Sequence, residues 1–481
     1  MNSTPLTEMF TQQSTYVLIM VFTIMPLIIG SFAAQNSVST IKDFFIYNRK
    51  MGTTVSFFTV YATWWSSFAF LGSISYFYRL GPVYWTGMAW NVLFGALYMI
   101  YGSKISPLCK EKGYITPLDY FKDAYNSPLL NGILALTLII FTTMYFQIQL
   151  FGGAIIISIA TNYVLSWQLC ALMFYMVMIV YLWSGGMRAV AWADILYGVL
   201  IFAGMLFSGL FLASKVGGVE TLFSRLMVEH PSHLILPKTS DANGAGMWLS
   251  MFIILPLGAL MGPQMWLRIN ATKDEKTFSL MPFLISIATI AYFGSMLCGN
   301  TAFFLNPEGM DAADQILPLL LQKYAPPFIT AAVLCCGAAA CLSTANSEIH
   351  AISALITLNY YKPLFRPKAS EKHIVFIAKI VIVLYSVFAY LSLVLTNSLD
   401  SIVDSGLTSL AGLAQVAVPL TGALFWKRSN KVGAILGLLV GIFIVLFPQF
   451  FNHLSFPLHV GVIALFFNSL IFIGCGFLIH K

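Results

Sequence analysis

Few side chains in this sequence could do chemistry inside a lipid bilayer, and those few gather in four short clusters. The first, Ala62-Thr63-Trp64-Trp65-Ser66-Ser67-Phe68-Ala69-Phe70-Leu71-Gly72-Ser73, packs hydroxyls, aromatics and a glycine into one segment. Such a run can interrupt a helix. Unwound backbone at bilayer depth persists only where it lines a cavity, and its freed carbonyls then become oxygen ligands for a cation. The alternative is a continuous helix whose Ser and Thr bond back to the preceding turn. The second cluster runs from Cys335 to Glu348. Gly337, Ala338, Ala339 and Ala340 allow another helix to come close, and Ser343 and Thr344 follow Ala340 by three and four residues. Both hydroxyls and the Ala340 carbonyl can therefore share a face, and two carbonyls from the first cluster would complete a five-oxygen set suited to Na+. Simple helix packing by small residues is the alternative. The third cluster is Gly185-Gly186-Met187-Arg188-Ala189-Val190-Ala191-Trp192-Ala193-Asp194, which sets Asp194 about a turn and a half into an apolar segment. An ionised carboxylate there needs a cation or strong donors, unless it snorkels to the interface and pairs with Arg188. The fourth, Leu255-Pro256-Leu257-Gly258-Ala259-Leu260-Met261-Gly262-Pro263-Gln264, interrupts a further apolar run.

The elements that must position these clusters are transmembrane helices. The chain has 481 residues, 59% of them apolar and 9% charged, with a mean hydropathy of +0.83, far from the composition of a water-soluble protein. The fold class expected is an all-α integral membrane protein of about 13 transmembrane helices, near 14–34, 52–78, 82–105, 129–162, 166–185, 189–214, 246–267, 278–305, 327–361, 373–396, 402–426, 432–451 and 458–479. No HExxH, GxxxxGK[ST] or paired CxxC motif is present, and the 18 Asp+Glu and 7 His lie mostly in connections, so the chain is not expected to be an enzyme. The seven cysteines fall mainly in or beside apolar segments and imply no disulfide framework. The net charge of +7 comes from short basic clusters between apolar runs, which argues against a nucleic-acid partner.

Those clusters also set an orientation. With the N-terminus outside, nineteen of the 25 Lys+Arg, Arg268 among them, fall in cytoplasmic loops and five in outward ones, with Lys379 inside a helix. The C-terminus is then cytoplasmic. The first helix lacks a basic leader and a small-residue cleavage motif and reads as a retained span. The outward loop 215–245 predicts a short amphipathic surface helix; its His230 and His233 could ligate a metal, but no matching third ligand accompanies them. The two interrupted helices are the second and the seventh. A spacing of five, an odd number, is what an inverted repeat of five helices requires.

Taken together, these residues resemble the sodium/solute symporter family, whose members import proline, pantothenate, monocarboxylates, sialic acid or sugars. The Gly185 to Asp194 run resembles the family's cytoplasmic signature, and Ala62-x-x-Trp65-Ser66 and Ala340-x-x-Ser343-Thr344 resemble its two sodium-binding stretches. Gly113-Tyr114-Ile115-Thr116-Pro117-Leu118-Asp119-Tyr120-Phe121 is similar to the loop entering its fourth helix, and the likeness covers about residues 40–430. The resemblance implies a LeuT-type 5+5 inverted repeat with one extra N-terminal and two extra C-terminal helices. The divisions would be 1–45 (outer tail and first helix), 46–214 (first repeat), 215–245 (external loop), 246–430 (second repeat) and 431–481 (accessory helices). It further implies Na+ as coupling ion, held by backbone oxygens of Ala62, Trp65 and Ala340 and the hydroxyls of Ser343 and Thr344. A second Na+ or an ion pathway would use Asp194, Ser343, Asn346 and Ser347. Asn346, Ala193 and Tyr197 depart from the Ser, Thr and Gln usual in the family.

The solute of such a protein sits between the broken helices and the fourth helix, which makes Trp64, Ser67, Phe68, Ala69, Tyr145, Gln147, Gln149 and Gln264 the binding candidates. Aromatics and neutral amides suit a compact acid better than a polyhydroxylated sugar. The expectation is Na+-coupled import of a monocarboxylate, a pantothenate-like acid or an amino acid across a plasma membrane of the bacterial inner-membrane type. The partners are the solute and the bilayer, with no obligate protein partner. A proton-coupled permease using Asp194 or Glu348, or a solute sensor retaining the fold, are the alternatives.

Overall fold

The computed structural model describes residues 40–481 apart from 82–84, 86–87, 236–243, 307–312, 397–400, 452–456 and 480–481; before residue 40 it describes isolated positions alone. Most of the expected helix at 14–34 thus lies outside the described residues. The helices in chain order are α1 Ile41–Ile46, α2 Thr53–Trp64, α3 Ser73–Leu80, α4 Ala89–Lys112, α5 Pro117–Tyr125, α6 Pro128–Ala160 and α7 Trp167–Ser214. They continue with α8 Val219–Glu229, α9 Ala245–Met261, α10 Pro263–Ala271, α11 Lys276–Ala288, α12 Tyr292–Leu305, α13 Ile316–Tyr324 and α14 Pro327–Ile356. The last are α15 Glu371–Thr396, α16 Ile402–Ala414, α17 Ala417–Phe425, α18 Lys431–Leu446 and α19 Val460–Leu478.

Among the described residues eight helices are long and apolar enough to cross a membrane, or nine when the bent pair α9/α10 counts as one span. The apolar scan gave a larger number for identifiable reasons. Most of the first helix lies outside the described residues, α2 and α3 are separated by a break, and α18 has 16 residues. In addition, α7 joins two predicted helices into one 48-residue stretch. At about 1.5 Å per residue such a helix would run roughly 70 Å if straight, more than twice the hydrocarbon core. Its backbone turns at Gly186 (φ 52°, ψ −143°). A Cβ there would stand 2.6 Å from the Phe44 ring and 2.8 Å from the Phe44 carbonyl oxygen, so the bend and the seat of α1 both require glycine.

Packing centres on α7 and α14. The first runs beside α2, α6, α12 and α14, and α14 lies between α6 and α7 with α10 and α2 across its middle. Where α7 crosses α12 the two backbones touch: a Cβ on Gly209 would lie 2.2 Å from the Gly294 carbonyl oxygen, and one on Gly294 1.9 Å from that of Met205. The predicted surface helix in the 215–245 loop is α8, whose Leu222 and Leu226 pack on Ala213 and Leu297 while Arg225 and Glu229 pair on its exposed side at 2.7 Å.

One end of the bundle is tied by bonds that end on main-chain oxygens. The Met51 N–H donates to the Ala271 carbonyl (3.1 Å) and the Lys273 N–H to that of Met51 (2.8 Å). Arg49 Nη2 donates to the carbonyls of Cys109 (2.6 Å) and Tyr114 (3.0 Å), and Asn270 Nδ2 to that of Ile115 (2.9 Å). Nearby, Arg188 pairs with Asp43 at 2.8 Å.

The glycine crossing makes a direct prediction. Gly294→Val forces α7 and α12 apart and lowers stability by about 1–3 kcal/mol or more, whereas Gly132→Ala, with open space where its Cβ would go, is neutral or gains up to about 1 kcal/mol. Thermal unfolding of the two variants in detergent separates them.

Candidate functional site

Both interruptions anticipated in the sequence are present. α2 ends at Trp64; Trp65 leaves the helix (φ −80°, ψ 78°), and after Ser66 and Ser67 the chain resumes as a π-helical turn over Phe68–Gly72 before α3. Side chains hold the break open: Ser66 Oγ accepts the Phe68 N–H (3.2 Å), and Gln149 Oε1 of α6 accepts the Ser67 N–H (2.9 Å). The second break lies at Gly262, where α9 and α10 diverge by 60°. Pro263 restarts the helix at a position where its missing N–H is not needed. A Cβ on Gly262 would stand 2.5 Å from the amide nitrogen of Gln264, which folds back over the break.

Hydroxyls of α14 meet the first break. Ser343 Oγ donates to the Ala62 carbonyl at 2.6 Å and lies 3.1 Å from that of Ala340. Thr344 Oγ1 donates to the Thr63 carbonyl at 3.0 Å and lies 3.2 Å from that of Ala340. Of the five residues expected to gather oxygens, Ala62, Ala340, Ser343 and Thr344 are thus in one bonded set. Thr63, which the sequence did not single out, supplies a carbonyl, and Trp65 lies fully buried at the break itself. All the oxygens are neutral and hard, a set that suits an alkali cation better than a transition metal.

A second cluster adjoins the first. Asp194 does not snorkel to Arg188. It is 1% exposed and pairs with Arg268, itself 1% exposed, at 3.2 Å, and it also accepts a hydrogen bond from Thr59 Oγ1. Arg268, expected in a cytoplasmic loop, lies on α10 inside the bundle. Its Nε donates to the Thr59 carbonyl (3.0 Å), Nη1 to that of Gln264 (3.2 Å) and Nη2 also to Ser347 Oγ (2.5 Å). Ser347 Oγ in turn donates to the Ser343 carbonyl (2.6 Å) and meets Thr63 Oγ1 at 3.0 Å, joining the two clusters. Asn346 is buried with its Oδ1 unbonded, and Glu348 is buried with neither carboxylate oxygen hydrogen-bonded.

The solute candidates divide. Tyr145 OH meets Ser66 Oγ at 2.8 Å, Gln149 holds Ser67, and Ser67 Oγ donates to the Ile148 carbonyl (3.2 Å), so α6 faces the break closely. Trp64 stacks on Phe94 and donates to Asn91 Oδ1 (2.7 Å); the Phe68 ring lies 6.3 Å from that of Tyr76, and the Ala69 carbonyl accepts from Ser73. Gln264 is buried with its Oε1 unbonded. Gln147 stands apart from the others: two positions along α6 from Gln149, its amide donates to Ser392 of α15 at 2.7 Å. Among the described residues no group of three or more His, Cys, Asp or Glu could hold a metal. In the external loop, His230 and His233 pack on Phe303, and His233 lies 3.2 Å from the Phe77 carbonyl, its burial holding the imidazole below the usual histidine range.

The model of the sodium:solute symporter family matches residues 44–441, a span that includes both breaks, Asp194, Arg268 and the α14 hydroxyls. The chain belongs to that family. It is a multi-pass membrane transporter and not an enzyme, coupling Na+ to the movement of a small-molecule solute. The human high-affinity choline transporter 1 is 26% identical over 89% of this chain and 75% of its own length. The sodium/pantothenate symporter of Haemophilus influenzae is 25% identical over 84% of this chain and 83% of its own. The fold is that of a Na+-coupled sialic acid symporter solved in a substrate-bound outward-open state, with a TM-score of 0.82 at 18% identity, over 97% of this chain and 98% of that one.

For this symporter the contrast between neighbouring glutamines is measurable. Gln149→Leu leaves the Ser67 N–H buried without an acceptor and costs about 1–3 kcal/mol, with loss of solute transport. Gln147→Leu, half-buried on the α15 side, costs less and leaves transport largely intact. Melting temperature and uptake into vesicles, taken together, test both statements.

Proposed function

We propose that the chain imports a small organic solute, a monocarboxylate, a pantothenate-like acid or an amino acid, together with Na+ by alternating access across a plasma membrane. The observation that carries this reading is the bonding of Ser343 and Thr344 to the carbonyls of Ala62 and Thr63 at the α2 break. These hydroxyls donate to oxygens that a cation would need. When Na+ enters, the hydroxyl protons turn away and the same oxygens, with those of Trp65 and Ala340, face the ion. A cation seated between oxygens that now touch must shift α2 relative to α14, which is how ion occupancy biases the conformation. Import draws about 2.3 kcal/mol per elementary charge per 100 mV, in addition to the chemical gradient of Na+. If Na+ tightens solute binding, solute tightens Na+ by the same factor.

The five-helix repeats at 46–214 and 246–430, with the N-terminus outside and the C-terminus cytoplasmic, belong to the same reading. Moving Arg268 from a loop to the interior leaves the basic bias toward the inner side intact. The solute would contact Trp64, Ser67, Phe68, Ala69, Tyr145, Gln149 and Gln264, with Gln147 set aside. The neutral amides and aromatics here, and the likeness to a pantothenate symporter, support a compact acid.

Ser343→Ala combined with Thr344→Ala is expected to abolish Na+-dependent uptake nearly completely while the protein still reaches the membrane. A thermal-shift screen of purified protein against organic acids and amino acids, with NaCl or KCl, identifies the solute as the compound whose stabilisation requires Na+. Na+ dependence unchanged in the double variant overturns the ion site. Uptake driven by low external pH without Na+ would transfer coupling to a proton and point to Glu348. Solute binding without uptake would make the chain a sensor.

A further inference from the structure

Of the residues expected to hold a second Na+, Asp194 and Ser347 are already satisfied by a positive charge belonging to the chain. Around Arg268 stand the Asp194 carboxylate from α7, the Thr59 carbonyl from α2, the Ser347 hydroxyl from α14 and the Gln264 carbonyl from α10 itself, all at 2.5–3.2 Å from a guanidinium nitrogen. A carboxylate, a hydroxyl and carbonyls from separate helices are the donor set of a small hard cation. Here each points at the guanidinium. Arginine stays protonated even when buried, and its planar fork can serve several acceptors at once. A Na+ placed among the same oxygens would have to displace those bonds and stand beside a like charge in a low-dielectric interior. The second Na+ therefore does not fit this site.

We infer that Arg268 is a tethered cation that takes the place of a second Na+ at Asp194 and Ser347, so that the transporter moves one Na+ with each solute. This rests on the Na+-coupled reading above and adds a count to it. Ser347 also gives the guanidinium a connection to the ion site: its hydroxyl, held by Arg268, bonds the carbonyl of Ser343, whose own hydroxyl is a proposed Na+ ligand. The fixed charge so holds the α14 face that the mobile ion must meet.

The test counts radiolabelled Na+ bound per chain by the purified full-length protein, at constant ionic strength in KCl. The wild type is expected to bind one. Asp194→Asn is expected still to bind one, because Asp194 faces Arg268 and not the ion. Arg268→Gln, which frees the carboxylate, is expected to bind two, and Arg268→Gln with Asp194→Asn returns to one. Arg268→Lys, which keeps a charge, stays at one. Two Na+ on the wild type, falling to one in Asp194→Asn, overturns the inference and leaves Na+ coupling standing; so does a folded Arg268→Gln that still binds one. Should Arg268→Gln fail to fold, the wild-type and Asp194→Asn counts decide alone. No bound Na+ on the wild type removes the Na+-coupled reading and this one with it.

Discussion

A helix that stops inside a membrane leaves carbonyl oxygens that lipid cannot satisfy, and the centre of this molecule is arranged around that debt. The break after Trp64 would be untenable against hydrocarbon. It survives because two other helices supply its partners: α6 offers the amide of Gln149 to the Ser67 N–H, and α14 offers the hydroxyls of Ser343 and Thr344 to the carbonyls of Ala62 and Thr63. Unless a cation takes over the carbonyls, none of these partners can be moved without exposing an unpaired polar group, so α2, α6 and α14 are held in register by hydrogen bonding at a depth where apolar side chains alone would let them slide.

The two Asp–Arg pairs show how depth changes the meaning of a charge. Asp43 and Arg188 meet near one end of the bundle, with Arg188 partly exposed and lying over the Tyr47 ring, an arrangement that tolerates water. Asp194 and Arg268 are sealed among four helices. A buried pair of this kind contributes little net stability, since desolvation offsets most of the attraction. What it does contribute is specificity of arrangement: each hydrogen bond of the guanidinium ends on a different element or turn, and a shift in any of them strands a charge.

Much of this was legible before any coordinates. The hydroxyl pair three and four residues beyond Ala340, the small residues ahead of it, and the two glycine-containing interruptions each carry a local physical signature. Asp194 announced itself by lying too deep for its charge. Its partner was harder to find. Arg268 follows an apolar run and reads as an interfacial residue, because the scan ends the seventh helix at 267 whereas Pro263 restarts it as far as Ala271. The four-residue spacing from Gln264 was the available clue, since residues so placed share a face of the restarted helix. Thr59 and Thr63 act through their carbonyls and through their hydroxyls, and only the three-dimensional meeting of α2 with α7, α10 and α14 assigns either a role. Gln147 shows the reverse case. Two residues along a helix from Gln149 it shares the composition of the site but faces α15.

At the end of the bundle where Arg49, Met51, Asn270 and Lys273 meet the opposing loops, the acceptors are main-chain oxygens of Cys109, Tyr114, Ile115, Ala271 and Met51. Every residue type owns such an oxygen. The receiving side of that clasp can consequently drift in sequence without weakening it, and so can the main-chain donors of Met51 and Lys273, while the side-chain donors Arg49 and Asn270 cannot, and diverging descendants should keep an arginine and an amide facing acceptors whose letters are free to change.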